Sequence, residues 1–127
     1  MHNRIIVWAA VFLFLAVALG AFGAHALRTR LEPDMMQAFQ TGVQYHFYHA
    51  LGLLLVGVVA LNNPSRRIGL SALFLALGII LFSGSLYVMA TTGIKGLGIV
   101  TPFGGVSFLA GWAMLLAAVL KKQTPTV

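Results

Sequence analysis

The chain of 127 residues has no cysteine, only two acidic residues and only 8% charged residues in all. Each shortage excludes something. Without cysteine there is no disulfide, no thiolate nucleophile and no sulfur-rich metal centre. The only carboxylates, Glu32 and Asp34, share one polar segment. No apolar stretch therefore carries an acid for a proton relay or for general acid–base work. A soluble domain has about 25% charged residues, and eight basic plus two acidic side chains cannot cover a globule of this length. Hydrophobic residues make up 60% of the chain. The class that remains is an all-α polytopic membrane protein. The net charge of +6 does not point to nucleic acid, because the basic residues stand in ones and twos at the ends of apolar runs. There they anchor and orient helices in the lipid bilayer.

Four runs are long enough to span. Residues 5–24 carry no charge and would cover about 30 Å as a helix, one hydrocarbon thickness. The others are 43–61, 68–90 and 103–120, giving a single membrane domain over 1–127. Asn62-Asn63-Pro64-Ser65, Pro33 and Pro102 punctuate the connections. Connections this short predict a four-helix transmembrane bundle of up-down topology. Arg4, Arg66, Arg67, Lys121 and Lys122 fall on one side; Arg28, Arg30 and Lys95 fall on the other with both acids. That balance predicts cytoplasmic termini. Arg4 before an apolar run and Ala24-His25-Ala26 imitate a signal peptide, but the run exceeds the usual h-region of about 7–15 residues, so the first span is expected to be retained. His2 reads as an exposed terminal residue.

Lipid tails are as apolar as leucine, so helices in a bilayer associate by close packing, which favours small residues. Ala16, Gly20 and Ala24, with Gly23 beside them, Ala72 and Ala76, and Ser107 and Gly111 recur at four-residue spacing. Gly104-Gly105 precedes the last pair. These stripes predict helix contacts and say nothing of function. Leu13-Phe14-Leu15-Ala16 returns as Leu73-Phe74-Leu75-Ala76, Phe22 as Phe82 and Thr41 as Thr101. Such an echo fits either a duplication or chance in so apolar a chain.

Polar residues inside a bilayer are costly, which makes their positions informative. With the topology above they gather in the non-cytoplasmic half: His25, then Gln40, Thr41, Gln44, Tyr45, His46, Tyr48 and His49, then Ser83, Ser85, Tyr87, Thr91 and Thr92, then Thr101 and Ser107. The candidate binding cluster is His25, Gln40, Gln44, His46, His49, Ser83, Ser85 and Thr101. His46 and His49, three apart, share a helix face. With His25 they are the residues that a zinc or copper site would use. The commoner fate of such imidazoles is a hydrogen bond that locks two helices. Ser83 and Ser85 lack a base held by a third group, so Ser-Gly-Ser is expected to serve close approach and interhelical hydrogen bonds. Thr101-Pro102 resembles a capped helix start, and the tyrosines fit an interfacial belt. Asp34 is positioned to cap a short interfacial helix through Met35, Met36 and Phe39 within the 25–42 loop, running into the second span. The methionine pair fits a spare apolar face or a copper(I) site.

Gly20-Ala21-Phe22-Gly23-Ala24-His25-Ala26-Leu27, then Phe39 to Leu51 (FQTGVQYHFYHAL), Leu81-Phe82-Ser83-Gly84-Ser85-Leu86-Tyr87 and Thr101-Pro102-Phe103-Gly104-Gly105 resemble the four signatures of one family. That family is domain of unknown function 423, the transmembrane protein 256-like small membrane proteins. The resemblance runs from residue 20 to about 112. It implies integral membrane proteins of four helices, in bacterial inner membranes among other places, and motif residues that form one shared site. It carries over no established activity, and it names no cofactor.

Three functions compete. The first is a non-catalytic module binding a lipid, a small molecule or a membrane-protein partner through its outer half. The second is an oligomeric transporter or channel, disfavoured by the absence of an intramembrane acid and by an inner half without polar stepping stones. The third is an enzyme, or a metal-binding or redox accessory protein, and metal analysis of untagged protein would discriminate it. A homo-oligomer is compatible with all three.

Overall fold

A computed structural model describes residues 3–123; His2 lies outside them. Four helices are long and apolar enough to cross a membrane. They are α1 (Asn3–Leu27), α2 (Pro33–Asn62), α3 (Arg66–Thr92) and α4 (Thr101–Gln123), the last preceded by a short 3-10 turn at Lys95–Ile99. The chain is an all-α integral membrane protein.

The spans are longer than their apolar runs because local chemistry sets their ends. Pro33 starts α2: it stands at the first helical turn, where a missing N–H costs nothing, behind an extended Glu32. Asp34 sits in that turn, where the helix dipole favours it, and is not the cap. The helix expected through Met35, Met36 and Phe39 is formed, and it runs into the second span. Residues 33–42 continue without a break into the span, as nothing in Met35 to Thr41 interrupts helical hydrogen bonding. Ser65 caps α3, its hydroxyl accepting from the Ile68 N–H at 3.2 Å. Gly93 ends α3 with φ of 76°, a left-handed conformation that favours glycine.

Consecutive spans run antiparallel, so both ends of the described chain lie on one side, here called the terminal side. Gly57 meets Ile5 and Ile6 there, and Arg67 Nη1 donates to the Ala117 carbonyl at 3.3 Å. Packing follows chain order: α1 lies along α2, α2 along α3, and α3 along α4. Among the described residues no extended contact joins α1 to α4, so α2 and α3 form the centre and the other two flank them. One core runs through all four helices: Ala9, Phe12, Ala50, Leu53, Val56, Ala60, Ile68, Ala72, Leu75, Ile79 and Phe108.

The small residues do what their spacing predicts. A methyl group on Gly20 would meet Val43 and Phe47, on Gly23 Phe39, and on Gly111 Leu75. Gly104 lies against the Phe82 backbone and Gly78 against the Phe108 ring. Gly84 and Gly105 face open space, so the close approach near Ser83 is made by Gly42 and not by Gly84. The echo at an offset of 60 does not occupy matching faces: Leu15 is exposed where Leu75 is buried. The two hairpins do share one feature that no sequence pattern signals. α1 loosens to π-helical hydrogen bonding at Ala18–Gly23 and α3 at Ile79–Ser83. Both segments lie on the side away from the termini and flank the same stretch of α2, residues 39–47. Such segments recur at functional sites.

Candidate functional site

The polar residues of the far side separate into two groups. One is buried and ties helices together. Ser83, fully buried, donates to the Gly42 carbonyl at 2.7 Å across the α2–α3 contact. Gly42 makes that possible twice over: it leaves its carbonyl accessible, and a methyl there would sit 2.9 Å from the Tyr87 ring. Ser85 donates to the Phe82 carbonyl at 2.9 Å and pairs with Thr101 at 2.6 Å. A hydroxyl has one proton, so Thr101 is the donor in that pair. Thr101 thus joins α4 to α3 instead of capping its own helix.

The histidines part company. His46 is buried, its Nδ1 2.8 Å from the Tyr87 hydroxyl on α3 and its ring edge-on to Phe12 on α1 at 6.1 Å. The Phe12 backbone interacts with the ring, yet Nε2 is sealed from solvent and has no partner in hydrogen-bond geometry. His49 turns to the α4 side. Its ring stacks on Phe108 with centroids 3.5 Å apart and lies 5.8 Å from Trp112. Its Nδ1 donates to the Tyr45 carbonyl at 2.9 Å, since a carbonyl only accepts. A three-residue spacing puts two side chains on one broad face, and here that face straddles a groove between two neighbours. His25 is exposed at the end of α1. Among the described residues no group of three or more His, Asp or Glu side chains is placed to hold a metal ion. The three imidazoles of the zinc or copper expectation have three different surroundings.

The second group is exposed on α2. Gln40 and Gln44 both face outward, and Gln44 Nε2 donates to the Tyr48 hydroxyl at 2.6 Å. Tyr45 and Tyr48 are exposed beside them, 39% and 53%. Of the eight predicted residues, then, His46, His49, Ser83, Ser85 and Thr101 form interhelical or packing contacts, while His25, Gln40 and Gln44 form surface.

Other residues outside the candidate cluster also tie helices together, and Ser71 among them went unnamed in the sequence reading. Ser71, fully buried on the terminal half of α3, donates to the Gly111 carbonyl at 2.7 Å, and Ser107 to the Phe74 carbonyl at 2.7 Å. A lone serine in an apolar run is itself the signal, because it needs a partner. Tyr87, read as part of an aromatic belt, is the hydrogen-bond partner of His46.

The eight predicted residues and Tyr87 all fall in the segment that a family model matches, residues 19–105, described as protein of unknown function (DUF423). The chain belongs to the DUF423 family. Relatives at high similarity agree. It is 44% identical over 117 residues to UPF0382 membrane protein YwdK of Bacillus subtilis (strain 168), covering 91% of this chain and 95% of that protein. It is 44% identical over 116 residues to UPF0382 inner membrane protein YgdD of Escherichia coli (strain K12), covering 91% and 88%. A Staphylococcus haemolyticus relative, UPF0382 membrane protein SH2409, is 40% identical over 116 residues, covering 91% and 94%. No solved structure matches the chain. The family match begins at Leu19, inside the π-helical segment of α1, and runs through the Ser83–Gly42 and Ser85–Thr101 ties to Gly105.

Proposed function

We propose that this DUF423 protein is a non-catalytic integral membrane module that binds a lipid, a small molecule or a membrane-protein partner through the half away from its termini. The buried polar residues are the frame and the exposed residues of α2 are the binding surface. The observation that carries this reading is the exposed Gln44–Tyr48 pair. Counting about 20 residues back from Leu61 places the far hydrocarbon boundary near Gly42. Gln44 and Tyr48 then lie inside the hydrocarbon on a lipid-facing surface, where uncovered polar groups are expensive. A bound partner relieves that cost.

The hydroxyls argue against a hydrolase in the same structure, since Ser83 and Ser85 give their protons to backbone carbonyls and not to a base. The basic residues at the terminal side, Arg4, Arg66, Arg67 and Lys121, support cytoplasmic termini. The Escherichia coli relative is named an inner membrane protein, which supports a bacterial inner membrane for this chain.

The test is native mass spectrometry of the protein released from lipid nanodiscs. The wild type is expected to retain a lipid or protein adduct, and Gln44→Leu/Tyr48→Phe to lose it. A bare chain, identical in wild type and variant, overturns the reading. Solute or ion flux in liposomes would replace it with transport.

A further inference from the structure

The exposed polar residues of α2 form a line. Gln37, Gln40, Gln44 and Tyr48 are all exposed, at spacings of three, four and four residues. That is one helix face. The line descends from the headgroup zone into the hydrocarbon and continues as Leu51 and Leu55, also exposed. It holds no charge. Within the line the Gln44–Tyr48 bond uses one of the two amide N–H groups of Gln44. The other N–H and the carbonyl oxygen of Gln44 are uncommitted, as is the Tyr48 hydroxyl proton.

We propose that this face is where a second copy of the chain docks, α2 against α2, about a two-fold axis along the membrane normal. The proposal rests on the binding reading above and names its partner. The basic-residue bias orients the copies alike, and a two-fold relating copies inserted in the same direction must run along the normal. Residues beside such an axis meet their own counterparts at the same depth. A lysine, arginine or carboxylate would face its like and repel it. Only a group that both donates and accepts can satisfy itself there. Glutamine amides and tyrosine hydroxyls are such groups, and they are what the line contains. Two Gln44 amides exchange reciprocal N–H···O bonds using the N–H and carbonyl that the intrachain bond leaves over. Gln40 and Gln37 repeat the arrangement nearer the headgroups, and Leu51 and Leu55 pack below. A lipid does not match this as well, because a headgroup reaches Gln37 and Gln40 but not Tyr48, more than a turn inside the boundary.

The cysteine-free chain suits the experiment, since each introduced cysteine is unique. Single cysteines are placed at residues 37, 40, 44, 51 and 55, and, as lipid-facing controls, at Phe14, Val106 and Leu109, which are exposed on α1 and α4. Oxidation in native membranes is expected to give disulfide-linked dimer at the α2 positions and none at the controls. Tyr48→Phe with Gln44→Leu in the Gln40→Cys background should raise the dimer dissociation constant about three- to tenfold, the loss of two membrane hydrogen bonds. Equal cross-linking at all positions, a maximum on α1 or α4, or a cross-linked species whose mass is not twice the chain overturns the second copy as occupant. A monomer that still retains lipid in nanodiscs defeats the dimer and leaves the binding reading standing. A monomer that retains nothing defeats both.

Discussion

Gly104 and Gly105 are neighbours with opposite surroundings, and replacing each by alanine tests the packing directly. A methyl on Gly104 would lie 2.7 Å from both Cα and Cβ of Phe82 and meet its backbone nitrogen; a methyl on Gly105 would have nothing within 4 Å. A side chain can swing aside, but a backbone cannot. Phe82 is also held by Ser85, which donates to its carbonyl. Overpacking of this kind costs about 1–3 kcal/mol, roughly a five- to 150-fold change in an equilibrium constant. Both substitutions gain about the same helix propensity, up to ~1 kcal/mol, so the difference between them isolates the clash. The assay is unfolding by SDS in mixed micelles, followed by the fluorescence of Trp8 and Trp112. Gly104→Ala should unfold at clearly lower SDS, and Gly105→Ala at or slightly above the wild-type midpoint. Equal midpoints would show that α3 and α4 do not meet at Gly104, and the docking of α4 described above would be wrong.

Gly78→Ala should destabilise by driving the Phe108 ring away, and Phe108→Leu should recover part of the loss; a double-mutant cycle in the same SDS assay reads a coupling that independent sites would lack. Tyr87→Phe leaves His46 Nδ1 buried without its partner, at about 1–3 kcal/mol, whereas Tyr45→Phe keeps the carbonyl that His49 uses and should cost far less; paired SDS titrations compare them. Ser83→Ala should cost about 0.6 kcal/mol and no more than about 1.7, the range of membrane interhelical hydrogen bonds, and a loss beyond that range would mean that Ser83 does more than reach Gly42.

Much of the site was legible because the bilayer penalises polar groups. Ser83 and Ser85 stood out in an apolar run for that reason and Thr101 at the entrance of the next, and each has a partner on a neighbouring helix or its own helix backbone. What those partners are was not legible. Ser83 reaches the carbonyl of Gly42, and every residue has a carbonyl, so no side-chain pattern marks the acceptor. The divergence of His46 and His49 was hidden for a related reason. A three-residue step turns the helix by about 300°, close enough for one face, yet the α3 and α4 neighbours divide that face between Tyr87 and Phe108. α2 extends well beyond its apolar run, which begins near Val43, because the backbone begins its helix where Pro33 allows it.

Composition and order along the chain were enough for a helical membrane protein with four spans, because a bilayer demands internally satisfied backbone and a fixed apolar length. Those are properties of each segment alone. Which polar residues became buried ties and which became surface depended on how the helices were turned against one another. Rotating α2 about its axis would exchange His46 with Gln44 at no local cost to the helix. The fit of Gly42 to Tyr87, of Val43 to Gly20 and of His49 to Phe108 selects the rotation, and such contacts exist only once all the helices are packed.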